Sequence, residues 1–300
     1  MPSSPAKVAV FGVPSAAGGR HPGLSEAPRS LREAGLLEAL RAAGLRVVNL
    51  SDLSLFPYRD DPEHPKARNA EVVACAVRAT ADEMTRALRE GFTVVLGGDC
   101  TLVAGMVGGA WAALGEPVGL VYLDANADLN TPDTSPSGYL SGMALSLALG
   151  RAKGVLSAAS SPSVLPEHVA LVGYRELDPG ERPSIGDLAL ALPAAAAKAL
   201  GMKATAALAL DAVRNGDGPV VVHLDVDVID PKEMPAKETI TSGAGLTWAE
   251  AGDLLTALLA SRRVVALEVC EYQPARDEDL SLGRRLVELI VRAVVRHARD

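Results

Sequence analysis

Disulfide chemistry has little to work with in this chain, whose 300 residues include three cysteines, Cys75, Cys100 and Cys270. An odd, sparse set in a long chain makes no disulfide framework, so a reducing cytoplasmic setting is the expectation. Positive charge is also short: 29 Lys and Arg stand against 37 Asp and Glu, for a net charge of -8. That balance argues against a nucleic-acid or anionic-membrane partner. The Arg-rich tail, residues 284–299, interleaves its charges with Leu, Val and Ile and reads as the solvated face of a helix. No stretch reaches membrane-spanning length without charge or proline. Met1-Pro2-Ser3-Ser4-Pro5 leads into a strand without the charged and apolar regions of a secretory leader.

What the chain has is apolar sequence, 48% of its residues, cut into strand-length runs. Residues 7–13, 46–50, 92–96, 119–123, 169–172, 220–224 and 263–269 read as strands, several of them hydrophobic without alternation. A parallel sheet covered on both faces requires that pattern. Residues 27–43, 70–89, 102–114, 142–149, 204–215, 247–260 and 281–299 read as helices between them. Thr247 and Glu250 have the spacing of a capping box. The β-α alternation predicts a three-layer α/β/α fold with a mainly parallel central sheet. Residues 190–213, rich in alanine, read as helix broken at Pro193 and Gly201, and 56–66 and 157–167 read as loops. With no internal repeat and no boundary, residues 1–300 read as one domain.

Three strings follow predicted strands: Gly97-Gly98-Asp99-Cys100, Asp124-Ala125-Asn126-Ala127-Asp128 and Asp225-Val226-Asp227. Loops at the carboxyl ends of such strands form the usual ligand crevice. If these segments stay extended, alternate side chains point the same way. Acids and a thiol delivered to one rim repel each other unless a cation neutralises them. Four carboxylates and one thiolate could hold two divalent cations about 3.5 Å apart with a bridging water, an arrangement suited to metal-assisted hydrolysis. A single Asp-x-Asp is commonly turn or cap chemistry; two pairs and a third motif, all at strand ends, favour metal. Asp99 could instead cap the helix behind it, which Thr101 opens. His223 shares a strand face with Asp225 and is a candidate proton carrier or positioning group. Of the other histidines only His21 is placed to approach a site. Cys75 and Cys270, among apolar neighbours, read as small core side chains.

These strings resemble the metal motifs of the ureohydrolase (arginase/agmatinase) family, and the likeness runs along nearly the whole chain. Gly23–Pro28 and the helix after it resemble the family's N-terminal stretch, and Asp225-Val226-Asp227-x-x-Asp230-Pro231 its third metal motif. The resemblance implies two divalent ions, Mn2+ in the family, and a bridging hydroxide that attacks the guanidinium carbon. Cys100, Asp124, Asp128 and Asp225 would hold one ion, and Asp124, Asn126, Asp225 and Asp227 the other. Glu271, in Glu271-Tyr272-Gln273-Pro274, would bind the guanidinium. Asn130 and Ser137 resemble the arginase loop that holds the substrate α-carboxylate. Asp178 and Glu181 resemble the acids that face its α-amino group. The implied partner is a small guanidino amino acid; arginase-like proteins are often trimers or hexamers, so a homo-oligomer is also implied.

Three positions depart from the arginase pattern. Cys100 and Asn126 stand where metal-binding histidines are expected, and Ser141 stands where a histidine would pass a proton to the leaving amine. A thiolate shifts metal preference toward zinc, iron or cobalt. A missing shuttle typically costs on the order of 10² to 10⁴ in rate. The cysteine ligand, the absent shuttle and the Ser137–Met143 loop are similar to Nω-hydroxy-L-arginine amidinohydrolases, whose hydroxyguanidine substrate is less basic than a guanidine. The expectation is a metal-dependent hydrolase of the guanidino C–N bond of Nω-hydroxy-L-arginine or L-arginine, with Asp128, Glu271 and His223 as catalytic candidates. Two alternatives are a ureohydrolase-like amino-acid-binding protein with impaired catalysis and a hydrolase of another guanidino or formimino compound.

Overall fold

The computed structural model describes residues 6–213, 216–238 and 241–299, so the N-terminal pentapeptide and the last two residues of the predicted 204–215 helix lie outside the described residues. Eight strands follow in chain order: β1 Lys7–Gly12, β2 Arg46–Asn49, β3 Phe92–Leu96, β4 Gly119–Leu123, β5 Val169–Val172, β6 Leu190–Leu192, β7 Val220–Asp225 and β8 Val264–Cys270. They form one sheet in the order β2-β1-β3-β8-β7-β4-β5-β6, every neighbouring pair parallel.

The apolar runs earn this burial on both faces. Val8, Val10, Val94 and Leu96 pack on one side, with buried residues of the helices Leu36–Ala42, Met202–Ala212, Trp248–Leu259 and Ser281–Arg299. Ala9, Phe11, Val95 and Tyr122 pack on the other, with residues of Ala70–Ala87, Val103–Leu114 and Ala144–Ala148. Alternate residues of one strand thus enter opposite layers, and each layer must be apolar. In the last helix the buried positions Gly283, Leu286, Val287, Ile290 and Val294 recur every three or four residues, while its arginines are exposed. The expected capping box forms: Thr247 Oγ1 accepts from the Glu250 N–H at 3.1 Å and Glu250 Oε2 from the Thr247 N–H at 2.8 Å.

Several boundaries differ from the sequence-based expectations. The helix expected over 27–43 is two, Ala27–Glu33 and Leu36–Ala42, because Gly35 takes φ +95° between them. Residues 190–192 are the edge strand β6 rather than helix; the predicted breaks at Pro193 and Gly201 then bound Ala194–Leu200. A short helix, Val155–Ala159, precedes and enters the expected 157–167 loop. Among the described residues no helix is long and apolar enough to cross a membrane.

Candidate active site

β3, β8, β7 and β4 are the four central strands, and because they run parallel their carboxyl ends open on one side. Cys100 follows β3, Cys270 and Glu271 sit at the end of β8, Asp225 closes β7, and Asp124 follows β4. Non-consecutive strands therefore bring the motifs together.

The loop after β3 depends on close backbone approach. A Cβ on Gly98 would run into the Ser15 carbonyl, so only glycine lets the chain pass there. Asp99 beyond it accepts from Ser15 Oγ at 2.6 Å and from the N–H groups of Gly18 at 3.2 Å and Thr101 at 3.1 Å. It is the capping carboxylate of the alternative reading.

The strings do not stay extended as assumed. β4 ends at Leu123, and Asp124 Oδ1 folds back to accept the Asn126 N–H at 2.6 Å. Asp128 adopts φ +51°. β7 ends at Asp225, whose Oδ1 accepts the Asp227 N–H at 2.6 Å across a single 3₁₀ turn. Carboxylates capping their own backbone turn the chain tightly, and convergence comes from those turns rather than from strand alternation. Glu271, at φ +62°, accepts the Cys100 N–H at 3.0 Å. Two non-glycine residues in the left-handed region at one site mark backbone held by its surroundings. Arg175 holds the Asp227 turn, donating to the carbonyls of Asp227 at 2.9 Å and Val228 at 3.1 Å.

The donor atoms converge. Cys100, Asp124 and Asp128 offer ligand atoms within 4.8 Å of one another, as do Asp124, Asp225 and Asp227, and Cys100, Asp225 and Glu271. All of these residues are buried. Burial first, then neighbouring carboxylates, pushes Asp124, Asp225 and Glu271 well above the usual carboxylate range. Burial also raises Asp128, although the Tyr122 hydroxyl donates to its Oδ2 at 2.6 Å. Asp124 Oδ2 is buried without a hydrogen-bond partner, a cost that a bound cation would remove. These residues fit a divalent metal pair. Asn126 Nδ2 donates to Asp227 Oδ2 at 3.1 Å; a half-turn of that amide would offer its carbonyl instead.

A cavity of about 170 Å³ opens over the cluster, lined by Cys100, Asn126, Asp128, Asp225, Asp227 and Glu271, together with Asn130, Ser137, Ser141, Asp178 and Glu181. Asn130 Nδ2 donates to Asp178 Oδ2 at 2.9 Å. Glu181 accepts the N–H groups of Leu129 at 2.9 Å and Asp178 at 2.8 Å, and burial raises its pKa. Asp124 lies beneath the cavity rather than on its wall. Arg20, Tyr139 and Glu176 also line it and were not singled out from the sequence. The guanidinium carbons of Arg20 and Arg68 lie 5.3 and 5.0 Å from the Tyr139 ring centre. Tyr139 lies in the loop and Glu176 in the string already noted for their resemblance, without a role of their own, whereas no local pattern marks Arg20.

Other positions fall elsewhere. His223 is wholly buried and off the cavity wall: Nδ1 meets Glu268 Oε2 at 2.6 Å, Nε2 lies 3.6 Å from Cys270 Sγ, and Tyr122 stacks on the ring. Direct proton transfer to a substrate in the cavity is closed to it. His21 is exposed and does not line the cavity; its N–H donates to Glu238. Cys75 is exposed rather than core, since it falls on the outer face of its helix. Cys270 is buried as expected, but its sulfur sits 3.3 Å from that of Cys100.

Comparison with known proteins gives a consistent result. A profile described as the Arginase family matches residues 6–295. An arginase of Staphylococcus aureus (strain MRSA252) is 31% identical over 288 residues, 94% of each chain. The native structure of the arginase of Bacillus caldovelox superposes with a TM-score of 0.87 at 28% identity, covering 97% of this chain and 98% of that one. The Entamoeba histolytica arginase, solved in complex with L-ornithine, shares the fold with a TM-score of 0.86 at 24% identity, covering 97% and 99%.

Proposed function

This chain belongs to the arginase family of hydrolases, and from that premise we propose that it cleaves the bond between the guanidino carbon and the side-chain nitrogen of an arginine-like α-amino acid, Nω-hydroxy-L-arginine in preference to L-arginine. The observation that carries this reading is the cavity lining. It sets Asn130, Ser137, Asp178 and Glu181 over a buried acid cluster and, among the described residues, includes no histidine.

Cys100, Asp124, Asp128 and Asp225 would hold one divalent cation, and Asp124, Asn126, Asp225 and Asp227 a second, with Mn2+ the usual ion of the family. Once bound, the pair would supply Lewis acidity and water of lowered pKa for attack on the guanidino carbon. The chain's own residues do the rest. Glu271 supplies the counter-charge for the guanidinium, one of its oxygens fixed by the Cys100 N–H. Asp128, whose Oδ2 accepts from the Tyr122 hydroxyl, would take up a proton from the attacking water. Asp178 and Glu181 receive the α-ammonium, and Asn130 and Ser137 donate to the α-carboxylate. Ser141 lines the cavity but carries no titrating nitrogen, so the departing amine lacks an imidazole donor. A less basic hydroxyguanidine needs less of that help. The products would be ornithine and hydroxyurea, or urea from arginine. The alternative of a binding protein without catalysis is not favoured, because its matched relatives are hydrolases.

The test is a side-by-side assay of manganese-loaded protein with Nω-hydroxy-L-arginine and L-arginine, quantifying ornithine, hydroxyurea and urea, with metal content measured per chain. Near two metals and faster turnover of the hydroxylated substrate are expected. Equal or faster turnover of arginine would overturn the preference. Ornithine from neither substrate would overturn the proposal.

A further inference from the structure

Behind the acid cluster lies a second set of metal-binding atoms, two of whose three residues, His223 and Cys270, the hydrolytic reading does not use. In the β7–β8 register His223 stands opposite Glu268 and Asp225 opposite Cys270, so these side chains share one face of the sheet. Cys100 Sγ reaches over from the β3 loop to within 3.3 Å of Cys270 Sγ, and Cys270 Sγ is 3.6 Å from His223 Nε2. All three donor atoms lie within 4.8 Å of one another, and all three residues are buried. A tetrahedral ion with metal–sulfur bonds near 2.3 Å and metal–nitrogen bonds near 2.05 Å would separate two sulfurs by about 3.8 Å and sulfur from nitrogen by about 3.6 Å. The Cys270–His223 spacing already matches, and the two sulfurs, 3.3 Å apart, must part by about 0.5 Å.

We infer that Cys100, His223 and Cys270 form a thiolate-rich site for a zinc-class divalent ion, adjoining the hydrolytic pair and sharing Cys100 with it. The surroundings match what such a site requires. Glu268 Oε2 lies 2.6 Å from His223 Nδ1; in the tautomer where Nδ1–H donates to that carboxylate, Nε2 keeps its lone pair, 3.6 Å from Cys270 Sγ. A carboxylate behind a histidine is the usual support for a zinc ligand. Glu268 Oε1 is buried with no hydrogen-bond partner, an orphaned acceptor beside the site. Tyr122 stacks on the imidazole with ring centres 4.1 Å apart and fixes its plane. Asp225 Oδ2, 3.1 Å from Cys100 Sγ, or a water from the cavity completes four ligands. Two soft sulfurs and an imidazole select zinc or cobalt over manganese. Occupancy would draw Cys100 toward the second site, so zinc should inhibit manganese-supported turnover.

The test uses chelator-stripped full-length protein titrated with Co2+, whose sulfur-to-metal charge-transfer absorption reports the number of thiolates, and with Zn2+ for affinity. Wild type is expected to bind an equivalent of Co2+ with a two-thiolate band. Cys270→Ala should cut that band by about half and weaken zinc binding about tenfold or more, while manganese stoichiometry holds. Should that variant not fold, His223→Gln serves instead: the two-thiolate band persists but zinc affinity falls about tenfold or more. A one-thiolate band in wild type, or zinc affinity unchanged in either folded variant, overturns the inference. Failure of the hydrolytic reading would appear separately, as no ornithine from either substrate with manganese-loaded wild type.

Discussion

Glu238 offers the sharpest quantitative test of how burial governs this site. Its Oε1 accepts the N–H groups of Arg20 at 2.5 Å and His21 at 3.0 Å, tying the N-terminal loop beside the cavity. The side chain is buried, and burial outweighs those two donors, lifting its pKa from 4.5 to about 7. Below pH 4.5 the acid is neutral in both folded and unfolded chains and carries no penalty. Between about 4.5 and 7 the unfolded chain ionises first, so stability is lost as pH rises, and above 7 the penalty is complete. At about 1.4 kcal/mol per pH unit the full penalty is about 3 kcal/mol. Glu238→Gln keeps an oxygen acceptor without the titration. The variant should therefore match wild type near pH 4.5 and exceed it by about 3 kcal/mol at pH 8, which for a chain this long is roughly 5 °C in melting temperature. The assay is calorimetry or denaturant unfolding of chelated protein across that range. A difference that stays flat with pH, or grows toward acid, would refute the reasoning.

Asp178→Ala should lower kcat/KM for an α-amino acid substrate about 10- to 100-fold, the worth of a charge-assisted hydrogen bond, and leave a substrate without an α-amino group unaffected; equal loss on both would place Asp178 outside the α-amino contact. The melting temperature of metal-free protein should fall from pH 5 to pH 8, because Asp124, Asp128, Asp225 and Glu271, all held above the usual range by burial, keep their protons in the fold where the unfolded chain ionises. Manganese should flatten that slope, and a metal-free profile without one would count against the cluster. Gly98→Ala should cost about 1–3 kcal/mol by overpacking against the Ser15 carbonyl and weaken metal binding through Cys100, as denaturant unfolding and metal titration would show.

Much of the site was legible because its chemistry is local. Cys100, Asp124, Asp128, Asp225 and Asp227 each sit within five residues of an apolar run, and such runs end where parallel strands deliver side chains to a crevice. Asp178 and Glu181 were singled out only through the resemblance of the 175–181 segment to arginases, since Asp-Pro-Gly by itself is ordinary turn chemistry. β6, three half-buried residues at the sheet edge, carries too little periodic signal to separate from the alanine-rich helix after it. Gly35 broke a helix whose apolar spacing runs on across it.

The amino-acid sequence by itself determined that there would be a doubly covered parallel sheet, which residue types would gather at its carboxyl rim, and that their charge calls for a cation. Those properties follow from hydrophobic run length and side-chain chemistry, which neighbours in sequence express. Tertiary structure alone decided which ends meet. β8 and β7 lie between β3 and β4, and that order sets Cys270 against Cys100 across 170 residues of chain. It turns His223 away from the cavity onto Glu268 and Tyr122 and brings Arg20 and Tyr139 to the cavity wall. Strand order is fixed by how whole helices and strands pack, a sum of long-range contacts that no short stretch of residues encodes.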